Sequence, residues 1–181
     1  ALEALYGLLS ADRHTTLQEV LDEAVPLPPE NVVQALVGQA FNRLDAPAQQ
    51  VMGALAVYNR PVTPAAVDYV LQPHRPGVDS APALNRLVSM HFVRKAGGRY
   101  HLHPVEQAYA LARIPEGEPV KGEHEQELWT RYALFHRGAE YFRQARRPRA
   151  EWRTLDDLAP QLAEFDLRCA GKEYDTAAEV L

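Results

Sequence analysis

The sequence feature that most constrains the fold is a series of helix starts marked by proline. Proline is tolerated in the first turn of a helix but disrupts its interior, so each of these prolines indicates where a helix begins. Aspartate, threonine and serine are good N-cap residues, and one of them stands before three of the four starts. The predicted starts are Asp45 with Pro47, Thr63 with Pro64, Ser80 with Pro82, and Pro104. This part of the chain is therefore predicted to form four short helices rather than one long one.

Between the third and fourth of these helices, the segment Phe92–Leu102 changes to strand character. It contains Gly97 and Gly98, and a glycine pair supplies the positive φ angles that a tight hairpin turn requires. Three helices followed by a two-stranded wing is the pattern of a winged helix, a variant of the helix-turn-helix. The sequence thus predicts a winged-helix domain over residues 45–114.

Helical patterns flank this domain on both sides. Residues 1–44 carry apolar side chains at helical spacing and are predicted to form a helical segment. Residues 115–181 begin with a polar linker and continue with amphipathic helices. The predicted fold class is therefore mainly α: a helical segment, a winged helix-turn-helix domain with a small β-hairpin wing, and then helical hairpins like those of tetratricopeptide repeats (TPR).

The TPR-like prediction rests on the order of signals after the linker. Two helices are predicted, from about Glu125 to Arg143 and from about Leu155 to Cys169. Gly171 ends the second, and Tyr174 opens a third with an apolar face that runs to Leu181. Helical repeats bury their faces against neighbouring repeats, so we expect the chain to be part of a longer protein whose repeats continue.

Composition narrows the environment and the function. The chain has 181 residues, a net charge of −5 and one cysteine, Cys169, which we interpret as a small buried thiol. One cysteine cannot form an internal disulfide, which fits a reducing, cytoplasmic location. No apolar run approaches the roughly 18 residues needed to cross a bilayer, so no membrane partner is expected. Residues 45–114 carry seven basic and four acidic side chains, so the middle of this acidic chain is slightly basic.

Motifs for catalysis are missing from the sequence. A phosphate-binding P-loop needs Gly-x-x-x-x-Gly-Lys-Ser/Thr, but the only Gly-Lys pair is Gly171-Lys172, with Glu173 after it and Asp166 at the place of the first glycine. There is no Gly-x-Ser-x-Gly and no His-Glu-x-x-His sequence. We therefore expect no catalytic residues in this chain and no enzyme activity of its own.

A histidine pair is the one pattern that resembles a metal site. His101 and His103 are two positions apart, so on a strand they point to the same side, and His91 or Glu106 could complete a ligand set. Two histidines without a third ligand at a fixed spacing are a weak signal. A pair at the end of a strand, one buried and one exposed, is the simpler interpretation, and no metal is predicted.

A winged helix also raises the question of DNA binding. In DNA-binding members the third helix enters the major groove and the wing contacts phosphates. The third predicted helix offers Asn85 and Arg86 for this purpose, and the wing offers Arg94, Lys95 and Arg99. A DNA reader usually presents more base-contacting donors and a steeper basic patch. These five residues are candidates for contact with a nucleic acid or with another domain.

Several segments together resemble one known family. They are the opening Ala1–Leu5, the segment Leu36–Tyr58, the segment Leu84–Val88 with Phe92-Val93, and Tyr100–Val105. Their order is similar to that of the helical-domain, winged-helix and repeat portion of STAND-class signalling ATPases, whose core is of the NB-ARC type. The resemblance covers the whole chain and is strongest over residues 1–114.

The resemblance implies a role for one histidine. In this family a Met-His-Asp motif follows the wing, and its histidine contacts the β-phosphate of bound ADP and keeps the molecule closed. By motif position that role falls to His103, a nucleotide-binding sensor. Pro104 stands where many relatives have aspartate, which removes a carboxylate, although proline can also begin the next helix.

The resemblance also implies the function. The chain would be the regulatory fragment of a bacterial STAND signal-transduction ATPase, in which the winged helix stabilises the ADP-bound off state and the TPR-like repeats sense an unknown ligand or protein. ADP or ATP with Mg²⁺ would bind an upstream P-loop domain in cis, so this fragment would need no cofactor. Two alternatives stay open: a winged-helix DNA-binding transcriptional regulator and a TPR-like protein-interaction module.

Overall fold

The computed structural model describes residues 37–121 and 127–180. Three predicted features therefore lie wholly or partly outside the described residues: the helical segment up to residue 36, the first part of the helix expected from Glu125, and Leu181. The described chain is mainly helical with one two-stranded antiparallel hairpin, as the predicted fold class requires.

The elements follow one another in the predicted order. After a helical stretch over residues 37–42, the helices and strands are α1 (Ala46–Ala56), α2 (Pro64–Leu71), α3 (Ala81–Ser89), β1 (Val93–Ala96), β2 (Arg99–Leu102), α4 (Pro104–Ala112), α5 (Arg131–Gln144), α6 (Ala159–Ala170) and α7 (Tyr174–Ala178). Two short 3₁₀ turns, Arg149–Glu151 and Leu155–Leu158, connect α5 to α6.

The described residues group into two compact units by backbone contact. Unit 1 contains residues 37–64 and 79–113, and unit 2 contains residues 65–78, 114–121 and 127–180. Helix α2 thus groups with the C-terminal helices and not with the other helices of the winged-helix pattern. The predicted domain boundaries at residues 45 and 115 stay a prediction.

The core of unit 1 is built around α1. This helix packs against α3, α4 and β2. Apolar residues of small and medium size occupy every side of the second half of α1, so neighbouring elements can bury this part of the helix on all sides. The large side chains that are fully buried in this unit include Met52, Leu55, Leu84, Leu87 and Phe92.

Local chemistry accounts for the helix starts in unit 1. Asp45 is the N-cap of α1, and its carboxylate accepts a hydrogen bond from the Ala48 amide at 2.9 Å, as predicted. Ser80 occupies the N-cap position of α3 but does not cap it, because its hydroxyl donates to the Pro64 carbonyl. The neighbouring Asp79 accepts from the Ala81 amide instead. The prediction that Ser80 caps α3 with its side chain was therefore wrong.

The wing forms as predicted. Strands β1 and β2 pair antiparallel with Val93 opposite Leu102 and Ala96 opposite Arg99. Gly97 and Gly98 make the turn with φ of 56° and 75°, values that side chains with a Cβ rarely adopt. Val62 extends the sheet by one further bridge to Tyr100, with both amide hydrogen bonds formed.

Helices α5, α6 and α7 form the larger part of unit 2. α5 and α7 each pack against α6, and α6 ends at Gly171, as predicted for a TPR-like hairpin. Helix α6 does not bury only apolar side chains, as a simple amphipathic helix would. Its buried residues include three polar ones, Gln161, Glu164 and Arg168. Leu158, Leu162 and Phe165, which share helical spacing with Cys169, are half-buried or exposed, and the thiol predicted to be buried is only half-buried.

Candidate functional site

His103 lies where the wing meets the next helix. It follows β2 directly and is the N-cap residue of α4, with extended backbone angles. Its side chain is 51% exposed, so the ring is not enclosed among aliphatic side chains. Pro104 is the first residue of α4, a position where its missing N–H costs nothing. The seam between the wing and α4 thus presents an imidazole to the surface.

Two neighbours determine which ring nitrogen of His103 carries a proton. Nδ1 lies 3.4 Å from the Val105 amide nitrogen and 3.3 Å from Oε2 of Glu106, whose side chain is buried. When Nδ1 accepts from the Val105 amide, the proton of the neutral ring is on Nε2. When the ring is protonated, Nδ1–H faces the Glu106 carboxylate and Nε2 also carries a proton. In both states Nε2 carries a proton and can donate a hydrogen bond to an anion.

An apolar groove of about 480 Å³ lies beside this histidine on α4. Tyr109 forms part of it and also anchors α4 to the helical stretch before α1. Its hydroxyl would lie 2.7 Å from a Cβ placed on Gly38, and its ring meets Phe41 edge-on at 5.6 Å between centroids. The groove is lined by Pro104, Val105, Ala108, Tyr109 and Ala112.

The candidate DNA-reading residues of α3 are bound within unit 1. Arg86 forms an ion pair of 2.5 Å with Asp45, the N-cap of α1. The side-chain oxygen of Asn85 accepts hydrogen bonds from Lys95 and from the Tyr100 hydroxyl, both at 2.9 Å. A base-reading side chain needs free donors and acceptors at its tip. The geometry therefore ties α3 to α1 and to the wing.

The three basic residues of the wing differ in their surroundings. Lys95, besides its bond to Asn85, lies over the Tyr100 ring at 4.9 Å from the centroid. Arg94 and Arg99 are exposed on β1 and at the start of β2. The structure thus brings Asn85 and Lys95 together and joins Arg86 to α1, rather than gathering all five candidates on one basic face.

A buried charge cluster in unit 2 escaped the sequence analysis. Arg168, with 3% of its side chain exposed, binds carboxylates from three places: Glu140 on α5, Glu164 on α6 and Glu173 before α7. The Glu173 distance is 2.6 Å and the Glu164 distance is 3.6 Å. Because one guanidinium joins three elements, the cluster sets their relative positions.

Each of these carboxylates has a second cationic or histidine partner. Arg143 lies 2.7 Å from Glu140, Arg146 lies 2.5 Å from Glu164, and His136 lies 3.0 Å from Glu173. His136 Nδ1 is also 3.1 Å from Arg168, so it donates to Glu173 when it carries a proton and accepts from the Arg168 guanidinium when it does not. Two helix-spaced pairs are sequence signals for the cluster: Glu164 with Arg168 at i, i+4, and Glu140 with Arg143 at i, i+3.

The partners of Glu140 and Glu173 lower the pKa of both carboxyls. Burial by itself raises the pKa of Glu173, but the His136 and Arg168 contacts outweigh it and hold the pKa below the ordinary glutamate value. Burial likewise raises the pKa of Glu140, and Arg168 and Arg143 reverse that effect. The cluster is therefore a charge-paired junction between α5, α6 and the start of α7.

The described residues contain neither a candidate metal site nor a helix that could span a membrane. No three histidine, cysteine, aspartate or glutamate residues of these ranges converge on one point that could hold a metal ion. His101 and His103 therefore do not form such a set with His91 or Glu106 within residues 37–121 and 127–180. None of the described helices is both long enough and apolar enough to cross a membrane.

Comparison with known proteins gives one likeness of fold. No family model and no curated protein matches the chain. A solved structure that does match is described as a Signal Transduction ATPase with Numerous Domains (STAND) protein with a tetratricopeptide repeat sensor, from Pyrococcus horikoshii. The TM-score is 0.52 at 14% identity, over 80% of this chain and 19% of that one. The chain therefore spans about a fifth of that protein's length and shares a fold with part of it.

Proposed function

We propose that this chain is the regulatory segment of a STAND-class signalling ATPase. Its winged helix would contact ADP held by a P-loop domain of the same polypeptide, and its TPR-like helices would bind a partner or ligand. The observation that carries the proposal is His103: a half-exposed imidazole at the seam of wing and helix, in a chain whose fold resembles a STAND protein with a TPR sensor.

The residues around His103 suit an anionic ligand. Nε2 carries a proton both in the neutral ring that accepts from Val105 and in the protonated ring that faces Glu106, so it can donate to a phosphate oxygen. Nucleotide hydrolysis itself would take place on the P-loop domain, with ADP or ATP and Mg²⁺ bound there.

This arrangement would act as a two-state switch. A contact between His103 and ADP stabilises the closed form, and a partner that binds the repeats shifts the molecule toward the open form only by its difference in affinity for the two. The chain itself would then have no ATPase activity. Phosphate release from ATP by the isolated 181-residue chain should not exceed that of a buffer blank.

The test of this function is ADP binding by the polypeptide that contains the P-loop. Isothermal titration should show weaker ADP binding after His103→Ala, by about tenfold, the loss expected for one hydrogen bond to a charged group. His91→Asn is the matched control, because His91 is an exposed histidine of the same unit and asparagine tolerates its φ of 61°. Equal ADP affinity in the native and His103→Ala proteins would refute the sensor role.

A reading frame without a P-loop ahead of Ala1 would favour the alternative of a simple interaction module. DNA binding has less support, since Asn85, Arg86 and Lys95 have partners within unit 1. A steep loss of duplex binding with salt that Arg86→Ala and Arg99→Ala remove would nevertheless revive it.

A further inference from the structure

The loop that follows α2, residues 72–78, contacts the start of α5 through a histidine. The half-buried His74 ring meets the Trp129 ring edge-on, with 5.0 Å between centroids and 88° between planes. Trp129 directly precedes the N-cap of α5. The amides of His74 and Arg75 both donate to the Leu71 carbonyl, at 2.9 and 2.8 Å, so the loop turns back at the end of α2. The ring contact therefore joins this loop to α5 within unit 2.

The surroundings of the His74 ring suit its neutral form. Its Nε2 atom is buried and has no hydrogen-bond partner within residues 37–121 and 127–180. A protonated imidazole carries an N–H on both nitrogens, so Nε2–H would become a buried donor without an acceptor. A donor in that state loses its bond to water and gains nothing in return.

Among the described residues, two charged side chains act on this ring in opposite directions. The Arg137 guanidinium on α5 disfavours a positive ring, and the Glu127 carboxylate, two residues before Trp129, favours one. Burial has the largest effect, and the pKa of His74 lies below the ordinary histidine value. Arg137 is itself held in place, because it donates to the Tyr69 carbonyl at 2.5 Å and lies over the Tyr69 ring at 5.1 Å.

We propose that His74 is a pH-dependent switch: with a neutral ring the loop 72–78 packs against the start of α5, and with a protonated ring the loop detaches. In the detached loop, water supplies the partner that Nε2 lacks in the packed one. Detachment also removes one wall of a groove of about 550 Å³ along α2. That groove is lined by Ala65, Asp68, Tyr69, Gln72, Gly77 and Val78.

The direction of the pH dependence follows from these surroundings. Above the ordinary histidine pKa of about 6.5 the ring is neutral in both states, and the loop is packed. As the pH falls below that value, the detached state takes up the proton first. The equilibrium constant for detachment therefore rises, by at most about tenfold per pH unit, until the packed state is protonated as well. Glu140 and Glu173 have lowered pKa values and titrate below about pH 4, so the two effects occur in separate pH ranges.

The experiment is amide hydrogen exchange of the whole 181-residue chain, followed by NMR. Protection factors, which correct for the intrinsic pH dependence of exchange, are compared at pH 7.5, 6.5 and 5.5 for the amides of His74 and Arg75. Between pH 6.5 and 5.5 they should fall by about two- to fivefold in the native chain. His74→Phe keeps an aromatic ring beside Trp129 but cannot take up a proton, so its protection should not depend on pH. His91→Asn, at an exposed histidine of unit 1, is the matched control and should behave as the native chain does.

A second measurement covers a His74→Phe chain that packs poorly. Acrylamide quenching of Trp129, in a chain with Trp152→Phe, should increase from pH 6.5 to 5.5 with His74 and stay constant with His74→Gln.

Three results would overturn the proposal: protection that is independent of pH in the native chain, an equal fall in His74→Phe and His74→Gln, or a parallel fall throughout α5 and α6. The last would mean that unit 2 unfolds as a whole. The readout involves no nucleotide, so it is independent of the ADP test of His103.

Discussion

Replacing Arg168 with methionine should destabilise unit 2 by about 3 kcal/mol. Breaking a buried ion pair by removing one partner costs about 3–5 kcal/mol, because the remaining charge is left in a poorly solvated place. Here three carboxylates lose the guanidinium, but Glu140, Glu164 and Glu173 each keep another partner. The loss is therefore expected at the lower end of that range.

Unit 2 can be followed by itself, because both tryptophans of the chain, Trp129 and Trp152, belong to it. Urea unfolding monitored by tryptophan fluorescence should show the midpoint of Arg168→Met lowered by about 1–3 M, given m-values of about 1–3 kcal/mol/M for small proteins. Arg143→Met is the matched control. Its side chain is 58% exposed and pairs with the same Glu140, so its removal should cost below about 1 kcal/mol.

A midpoint of Arg168→Met equal to that of Arg143→Met would refute the reasoning, since burial is what separates the two arginines. A double-mutant cycle of Arg168→Met with Glu140→Gln adds a second check. Residues in direct contact should show a coupling energy of at least about 0.5 kcal/mol. Additive effects would mean that the guanidinium stabilises unit 2 without this carboxylate.

Three further predictions follow from single contacts. A carboxyl whose pKa is lowered in the folded state stabilises the fold above its ordinary pKa, and this contribution is lost as the pH falls through the lowered value. Unit 2 should therefore lose stability below about pH 4, and Glu173→Gln should lose less of it than the native chain does. Acid titration monitored by tryptophan fluorescence measures the difference. Asp45→Ala removes a helix cap and the partner of Arg86 and should lower the unfolding free energy of unit 1 by about 1 kcal/mol in circular dichroism melts. Gly98→Ala places a Cβ at a φ of 75° and should destabilise the wing by about 1 kcal/mol by the same measurement, whereas Ala96→Gly at the paired end of β1 should cost less.

The sequence predicted those parts of the fold that depend on neighbours in the chain. Asp45 caps α1, Pro104 begins α4, and the glycine pair makes the wing turn, because caps, prolines and positive φ angles act within a few residues. The placement of His103 at a helix start follows in the same way. Its partner Glu106 is only three residues further along the chain, so a sequence pattern can indicate the contact.

The parts that the sequence missed depend on partners far along the chain. Arg86 meets Asp45 across 41 positions, and Arg168 meets Glu140 across 28. Hydrophobic periodicity shows that α6 has an apolar face but not which neighbour the face meets. The same limit explains why Cys169 is half-buried and not buried.

The orientation of α6 accounts for both the buried charge cluster of unit 2 and the exposed leucine on the other side of the helix. Arg168 and Glu164 occupy the side of the helix that faces α5, and this turns Leu162 toward solvent. A polar cluster of this kind stabilises less than an apolar core of equal volume, but it specifies one packing because its partners must be met with good geometry. The two faces are therefore separable by mutation. Arg168→Met should lower the unfolding free energy of unit 2, whereas Leu155→Ser, at a side chain that is 83% exposed, should leave it nearly unchanged.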